Sequence, residues 1–226
     1  MKKSVYIFGI SGRMGQEVAK IVEQTSTLEL VGGYSRSSQS NEPTKSPDIV
    51  IDFSLPETFD DLTGFVKKHS SCLISGTTGI NECQKKQLIK LGDSTPVFWA
   101  VNMSFGVYLM CRLTETLAKY QQFYDYHVEE THHVHKKDKP SGTALIIEDA
   151  AKASTSRLGE TVSIREGEIF GIHRFIAKSP NESLEVRHEA FNRSLFAQGA
   201  VDISMWLYGK SPGFYTMDDF FQNFQN

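Results

Sequence analysis

The densest group of residues able to do chemistry lies between positions 129 and 144, where the sequence is EETHHVHKKDKPSGTA. Three histidines and three lysines occupy positions 132–139, although the whole chain carries a formal net charge of -3. Local positive charge of this kind suits an anion with more than one negative group, such as a dicarboxylate. Histidine also titrates near neutral pH, so the same cluster could move a proton.

The PSGT sequence at 140–143 leads into a segment with helical spacing. Backbone amides and hydroxyls at the start of a helix form a second place for an anion, so we expect one carboxylate there and the other beside a histidine or lysine. Two alternatives stay open: His132, His133 and His135 bind a metal, or the segment is a solvated charged turn. Against a metal, neighbouring positions on a strand place His133 opposite His132, and no Asp, Glu or Cys ligand set is obvious nearby.

A second candidate site begins at GISGRMG, residues 9–15, directly after an apolar run. A strand, a glycine turn and a helix in this order can hold a diphosphate on backbone amides; a glycine turn without a ligand is the alternative. The loops SGTTG at 75–79 and AVNMSFG at 100–106 also follow predicted strands. Because parallel strands end at one edge of a sheet, the three loops predict a single cofactor crevice.

The residue that selects the cofactor is expected just after the second strand. An acidic residue there would bind a ribose diol, but the sequence at 34–38 is YSRSS. Arg36 with neighbouring hydroxyls suits a 2′-phosphate, which a carboxylate would repel. We therefore predict that NADPH is preferred over NADH; the alternative is that Arg36 is a solvated loop residue.

Strands and helices alternate through the first hundred residues, which predicts a parallel sheet covered on both faces. Strands are expected at 4–8, 28–31, 48–53, 72–74 and 97–100, with Gly32 and Gly33 ending the second one. After residue 102 a long helix at 107–120 is followed by four segments of alternating polarity, predicted as half-buried antiparallel strands at 124–130, 162–168, 173–178 and 183–189. A last helix is expected at 194–208, packed on the first domain.

The fold class is therefore α/β, with two domains. The first, residues 1–103 and 194–226, is an N-terminal Rossmann-like parallel-sheet domain that binds a dinucleotide. The second, residues 104–193, is a smaller α+β domain with a mostly antiparallel sheet that binds the substrate.

Net charge gives no general case for binding nucleic acid or an anionic membrane. No stretch approaches the ~20 apolar residues of a membrane helix. Three cysteines without a CxxC pair indicate reduced thiols, and the first apolar run is too short for a signal peptide. We expect a mature, cytoplasmic chain.

Taken together, these motifs resemble the dihydrodipicolinate reductase family. That family carries a GxxGRMG turn, a GTTG loop, an N-[FM]-S-x-G-V segment and an ExHHxxKxDxPSGTA segment, which correspond here to residues 9–15, 76–79, 102–107 and 129–144. The resemblance covers nearly the whole chain, and the combination of HHxxK with PSGT is its most specific part.

The resemblance implies an enzyme of lysine and diaminopimelate biosynthesis. It would reduce dihydrodipicolinate (4-hydroxy-tetrahydrodipicolinate) to tetrahydrodipicolinate, with NADPH or NADH delivering a hydride to C4 of the ring. The family is typically a homotetramer assembled through the sheet of the second domain, which would therefore also serve oligomerisation.

The resemblance also assigns roles to residues. His132 would be the acid/base residue and Lys136 the proton donor. The substrate would be bound by His133, Ser141, Gly142 and Thr143. The cofactor would be lined by Gly9, Ile10, Ser11, Gly12, Arg13, Met14, Arg36, Gly76, Thr77, Thr78, Ala100, Val101, Asn102 and Met103. No metal is expected.

Two other functions stay open. A related two-domain nicotinamide dehydrogenase acting on aspartate, its semialdehyde or homoserine would share the first domain but leave HHxxK with PSGT unexplained. A non-catalytic nucleotide sensor would be expected to have a degraded second site, whereas here that site is complete. The sequence does not decide between His132 and Lys136 as the group that delivers the proton, nor whether the imine or its hydrated form binds.

Overall fold

The chain divides into two compact units. The computed structural model describes residues 1–35 and 42–224, so Arg36 lies outside the described residues. Met1–Met103 and Ser194–Asn226 form the first unit, and Ser104–Arg193 the second. Within the described part of the chain, no helix has the length and apolar character needed to cross a membrane.

The first unit is built on a six-stranded parallel sheet. Its strands are β1 (Lys3–Phe8), β2 (Leu28–Tyr34), β3 (Ile49–Asp52), β4 (Cys72–Ser75), β5 (Pro96–Trp99) and β10 (Gly213–Tyr215). The strand order is β10-β5-β4-β3-β1-β2, and each neighbouring pair is parallel. The chain places β2 on one side of β1 and β3 on the other. The point between β1 and β3 is therefore the topological switch point, where open parallel sheets bind their ligands.

Helices cover this sheet because its strands are apolar on both faces, as in Ile49, Val50 and Ile51, which are fully buried. The helices are α1 (Arg13–Gln24), α2 (Phe59–His69), α3 (Glu82–Leu91), α6 (Ser194–Leu207) and α7 (Met217–Gln222), with a short 3-10 turn at Pro56–Thr58. The late helix α6 packs against α1. The parallel Rossmann-like sheet predicted from the alternation of strands and helices is confirmed.

The prediction that Gly32 and Gly33 end the second strand is wrong, because β2 continues to Tyr34. Both glycines pair with β1, opposite Tyr6 and Ile7, and the register shifts at Val5/Tyr6. Gly32 has a φ of 151°, which a side chain would disfavour, and a Cβ on Gly33 would lie 2.5 Å from the Ile10 side chain. These glycines mark a bulge and a close approach inside a strand rather than its end.

The second unit is a four-stranded sheet with two helices on one face. Its elements are α4 (Phe105–Ala118), β6 (Asp125–His132), α5 (Gly142–Lys152), β7 (Val162–Arg165), β8 (Gly171–Lys178) and β9 (Ser183–Ala190), and the strand order is β7-β6-β8-β9. Helices α4 and α5 pack together, and their apolar residues join Tyr126, Val128 and Phe175 of the sheet in one core.

One of the four predicted antiparallel strands is parallel. The β6–β8 and β8–β9 pairs are antiparallel, as expected, but β7 runs parallel to β6. Helix α5 lies between β6 and β7 in the chain, and a connection through a helix returns the chain in the same direction. The strand also ends at Arg165, before Gly167, whose φ is 52°. The sheet is thus mostly antiparallel, as the fold class stated.

Sequence reasoning missed the last two elements, β10 and α7. The three residues of β10 extend the sheet beyond β5, and the Thr216 and Asp219 side chains form a capping box at the start of α7. A three-residue strand carries too short a pattern to be recognised, since its pairing partner lies in a distant part of the chain.

Gly199→Ala should destabilise the protein, because a Cβ at Gly199 would lie 2.0 Å from the Met103 carbonyl oxygen. Helix α6 would have to shift, at a cost of about 1–3 kcal/mol of unfolding free energy. Gly64→Ala in α2 is the matched control: its Cβ meets no atom within 4 Å, so helix propensity should stabilise it by up to about 1 kcal/mol. Urea unfolding of both variants measures the difference; equal effects would contradict the packing described.

Candidate active site

His132 and Glu130 lie side by side at the end of β6. Positions two apart on a strand share a face, and here that face is buried: Glu130 is 0% and His132 7% exposed. The Glu130 carboxylate contacts His132 Nδ1 through Oε2 and Arg165 Nη2 through Oε1, the latter at 2.8 Å. His132 is therefore held by one ring nitrogen, and only its Nε2 is left for chemistry.

Glu130 carries its charge although it is buried. Burial alone favours the neutral acid, but hydrogen bonds from His132, Arg165 and Ser163 outweigh burial and lower the pKa of Glu130 to about 2. At neutral pH the carboxylate is thus an acceptor only, and the Nδ1 that contacts it must carry a proton.

Arg165 also fixes the turn that carries Lys136. Its side chain is 8% exposed, and it donates from Nε to the Lys136 carbonyl at 3.3 Å and from Nη2 to the Asp138 carbonyl at 2.5 Å. Within the turn, Lys136 Nζ lies 2.8 Å from the Asp138 carboxylate. The two predicted catalytic residues are therefore organised by the same guanidinium.

Ser141, predicted to bind substrate, is the N-cap of α5. Its Oγ accepts from the Ala144 amide at 3.2 Å and lies 3.2 Å from His173 Nε2. The His173 ring is 5.1 Å from the His132 ring, so His173 links the predicted acid/base residue to the start of α5. Around Gly142, the first residue of this helix, a Cβ would meet nothing within 4 Å.

His173 was not foreseen as part of the site, and it is neutral. It is 4% exposed, and its Nδ1 has no hydrogen-bond partner among the described residues. Burial, with smaller contributions from His132 and His188, lowers the pKa of His173 to about 3. A neutral ring beside His132 can accept or donate one hydrogen bond without competing for an anion.

The three histidines considered as metal ligands point to different surroundings. Strand β6 ends at His132, and the His133 amide donates to the Ile169 carbonyl at 2.7 Å. Burial is the main cause that lowers the pKa of His133, and the positive charge of Arg193 is the second. His135 is exposed, 3.7 Å from Glu168. Over residues 1–35 and 42–224, no group of three or more His, Cys, Asp or Glu is arranged to hold a metal.

The glycine turn lies at the switch point of the first unit. Gly9 has a φ of 80°, and a Cβ there would lie 2.6 Å from the Phe53 carbonyl oxygen. A Cβ on Gly15 would lie 2.1 Å from the Gly9 oxygen, so the turn requires both glycines. A cavity of about 290 Å³ opens beside it, lined by Gly9, Ser11, Gly12, Tyr34, Ser35, Phe53, Ser54, Leu55 and Thr58.

Asp52, a residue that sequence reasoning also missed, ties the loops of this edge together. It is fully buried at the end of β3. Its carboxylate accepts from the Ser54 amide and hydroxyl at 2.9 and 2.5 Å, from Ser75 Oγ at 2.7 Å and from Thr77 Oγ1 at 2.8 Å. The signal was a carboxylate ending an apolar strand, with hydroxyl residues after it and after the next strand.

The structure brings only part of the predicted cofactor set to that cavity: Gly9, Ser11 and Gly12 line it. Ile10 instead packs on Gly33, and Gly76 packs on the Phe53 ring. The remaining predicted residues lie at the carboxyl ends of β1, β4 and β5, at the same edge of the sheet: Arg13, Met14, Thr77, Thr78, Ala100, Val101, Asn102 and Met103. Of these, Met103 is 1% exposed, so its side chain belongs to the core.

Comparison with known proteins identifies the family. The family model "Dihydrodipicolinate reductase, N-terminus" matches residues 3–103, and "Dihydrodipicolinate reductase, C-terminus" matches residues 106–221. The chain belongs to the dihydrodipicolinate reductase family. It is 36% identical to a 4-hydroxy-tetrahydrodipicolinate reductase of Bdellovibrio bacteriovorus, over 97% of this chain and 96% of that protein. A reductase of the same name from Xanthomonas campestris pv. campestris is also 36% identical, over 95% and 96%.

Solved structures share the fold. A dipicolinate-bound dihydrodipicolinate reductase from Paenisporosarcina sp. TG-14 matches with a TM-score of 0.80 and 22% identity, over 96% of this chain and 98% of that one. An aspartate dehydrogenase from Thermotoga maritima matches with a TM-score of 0.53 and 13% identity, over 93% and 98%. Two-domain dehydrogenases that act on aspartate-derived substrates therefore share this fold, so the fold alone does not distinguish them from the reductases. The sequence matches over nearly the whole chain place it in the reductase family.

The neutral state of His173 predicts a specific loss of stability in acid. Its pKa of about 3 lies below the ordinary value of 6.5. Below pH 6.5 the His173 ring therefore binds a proton in the unfolded chain but not in the folded chain. Down to about pH 3, this one group should lower the unfolding free energy by up to about 1.4 kcal/mol per pH unit.

Urea unfolding between about pH 7.5 and 4.5 measures this slope, and His173→Gln provides the comparison because it cannot titrate. As the pH falls, the unfolding free energy of the wild type should decrease relative to that of the variant. A difference that stays constant with pH would show that His173 does not titrate in this range.

Proposed function

We propose that this chain reduces dihydrodipicolinate (4-hydroxy-tetrahydrodipicolinate) to tetrahydrodipicolinate, the reduction step in lysine and diaminopimelate biosynthesis. The observation that carries the proposal is the arrangement in the second unit: a buried His132 with only Nε2 open, linked through His173 to Ser141 at the start of α5. A proton-transfer group beside an anion-binding helix start suits a small ring that bears carboxylates.

Substrate binding is assigned to the residues around the start of α5. The first backbone amides of a helix attract an anion, and the open space around Gly142 leaves room for a carboxylate. Thr143 adds a hydroxyl at the same turn, Lys136 supplies positive charge for the second carboxylate, and His133 can donate a hydrogen bond to it.

The proton that completes the reduction has two candidate donors. When its ring is doubly protonated, His132 can release a proton from Nε2 while Glu130 keeps the proton on Nδ1 in place. Lys136 Nζ is ion-paired with Asp138 at 2.8 Å and only 22% exposed, so it would have to leave Asp138 to reach a substrate. Of the two, His132 needs the smaller rearrangement in the structure described.

The cofactor site is assigned to the first unit. The cavity at the switch point and the tight Gly9 turn fit a dinucleotide, because the diphosphate needs close approach to backbone amides. When bound, a reduced nicotinamide supplies the hydride. Asp52 keeps Thr77 and Ser54 in place at this edge.

NADPH is the proposed cofactor, with NADH as the second. No carboxylate is found among the described residues that line the cavity, and Ser11 and Ser35 present hydroxyls there. A 2′-phosphate would meet donors rather than a repelling charge. Arg36 follows Ser35 directly in the sequence and would pair with that phosphate.

The function is tested by loss of absorbance at the reduced-nicotinamide band when freshly prepared substrate is added to the protein with NADPH or NADH. Oxidation that depends on the substrate supports the proposal. A folded protein that binds the cofactor but oxidises neither form in the presence of this substrate would overturn it and favour an aspartate-derived substrate or a nucleotide sensor.

Lys136→Ala should lower kcat far more than it changes the KM for the cofactor, because the ammonium acts on the substrate. Loss of a charged interaction made in the transition state corresponds to about a 10- to 100-fold effect. Lys137→Ala, at an exposed neighbouring position, is the control and should keep kcat within about twofold. Steady-state kinetics that give both variants the same kcat would remove Lys136 from the mechanism.

Arg36→Ala should lower kcat/KM for NADPH by about 10- to 100-fold and leave that for NADH within about twofold, because only NADPH carries the phosphate. Lys45→Ala is the control: this cation follows Arg36 by nine positions in the sequence and is paired with Glu29 at 2.6 Å. Equal losses with both cofactors, or a wild type that strongly prefers NADH, would contradict the phosphate assignment.

Assembly and location stay predictions. A homotetramer would use the face of the second sheet opposite α4 and α5, where Arg174 bridges Glu129 and Glu185 at 2.8 Å. A cytoplasmic location fits the proposed biosynthetic role and the free cysteines.

A further inference from the structure

We propose that Glu130, neutralised by Arg165, is the positioning residue of this site: it holds His132 with the proton on Nδ1, while Arg165 anchors the turn that carries Lys136. The inference deepens the proposed function and rests on it. Neither Glu130 nor Arg165 needs to touch the substrate for this role.

Glu130 fixes the tautomer of His132. A charged carboxylate has no proton to donate, so its contact with Nδ1 requires an N–H at that atom. In the neutral ring, Nε2 then carries the lone pair, and in the cation it carries a proton to donate. Without Glu130 both tautomers become available, and the fraction of rings that present the useful one falls.

The other ring nitrogen of His132, Nε2, lies beside a glycine. A Cβ at Gly171 would lie 2.9 Å from His132 Nε2, so a side chain at this position would press against Nε2, and a glycine does not. Nδ1 on the other side is enclosed with the carboxylate. An ion pair that served packing alone would not need one imidazole nitrogen enclosed and the other beside a glycine.

Arg165 connects Glu130 to the turn that carries Lys136. It stands opposite His132 in the parallel β6–β7 register and donates to Glu130 Oε1, the Lys136 carbonyl and the Asp138 carbonyl. These acceptors lie in different directions, which the fork of a guanidinium can reach and a lysine ammonium cannot. One buried cation therefore sets the positions of both proposed proton carriers.

The experiment measures the tautomer and the kinetics separately. Nitrogen-15 NMR of labelled histidines at about pH 8, where an ordinary histidine is neutral, reports which nitrogen of His132 is protonated without substrate or cofactor. We expect Nδ1–H in the wild type and a mixture or Nε2–H in Glu130→Gln. An amide can donate to Nδ1 and favour the wrong tautomer, so kcat should fall by more than about tenfold. The KM for the cofactor should stay within about twofold.

Glu129→Gln is the matched control. This neighbouring residue carries the same group and forms an ion pair with Arg174 at 2.8 Å, and its substitution should leave both the His132 tautomer and kcat unchanged. Arg165→Lys keeps the positive charge but not the fork, so it should keep the Nδ1–H tautomer and still lower kcat.

Three outcomes would overturn the inference: a wild type with Nε2–H on neutral His132, a Glu130→Gln variant with unchanged tautomer and kcat, or a control that behaves like Glu130→Gln. If Glu130→Gln does not fold, the wild-type spectrum alone decides. A wild type without reductase activity would overturn the proposed function. The tautomer, which is measured without substrate, would then still confirm or refute the positioning by Glu130.

Discussion

A charge inside the second unit has to be neutralised, and this requirement organises everything around it. Glu130 is fully buried and ionised, and Arg165 lies 2.8 Å away with its own side chain 8% exposed. Removing one member of such a pair typically costs about 3–5 kcal/mol. Strands β6 and β7 and the turn at 136–138 therefore cannot move independently. The orientation of His132 and the path of the turn that carries Lys136 both follow from this pair.

The first unit solves a similar problem without a cation. Asp52 is also fully buried at the end of a central strand, but its partners are an amide and three hydroxyls on neighbouring loops. Hydrogen bonds to a charged group each contribute about 1.5–3 kcal/mol, enough in sum to hold the carboxylate there. In both units a buried carboxylate at or near the end of an inner strand fixes the segments where a ligand would bind, so the sites depend on the sheets.

The features that repeat along the chain could be predicted, and those that depend on pairing could not. Apolar strands alternating with helices were enough to predict the parallel sheet, and the HHxxK and PSGT motifs were enough to select His132 and Ser141 as candidates, whose roles stay predictions. Gly32 and Gly33 suggested the end of a strand, because only the pairing with β1 shows that it continues. Arg165 could not be assigned to Glu130, since the two are 35 residues apart and meet only through the β6–β7 register. A carboxylate two positions before a histidine was the available signal.

The proposed reaction transfers a hydride to a cyclic dicarboxylate, and the transferred atom can be followed directly. The protein would be incubated with freshly made substrate and NADPH carrying deuterium at C4 of the nicotinamide, and the product would be analysed by mass spectrometry and NMR. With the transferable position labelled, we expect one deuterium, at C4 of the product ring. A product without deuterium, or no product while the label stays in the nicotinamide whichever face carries it, would contradict it.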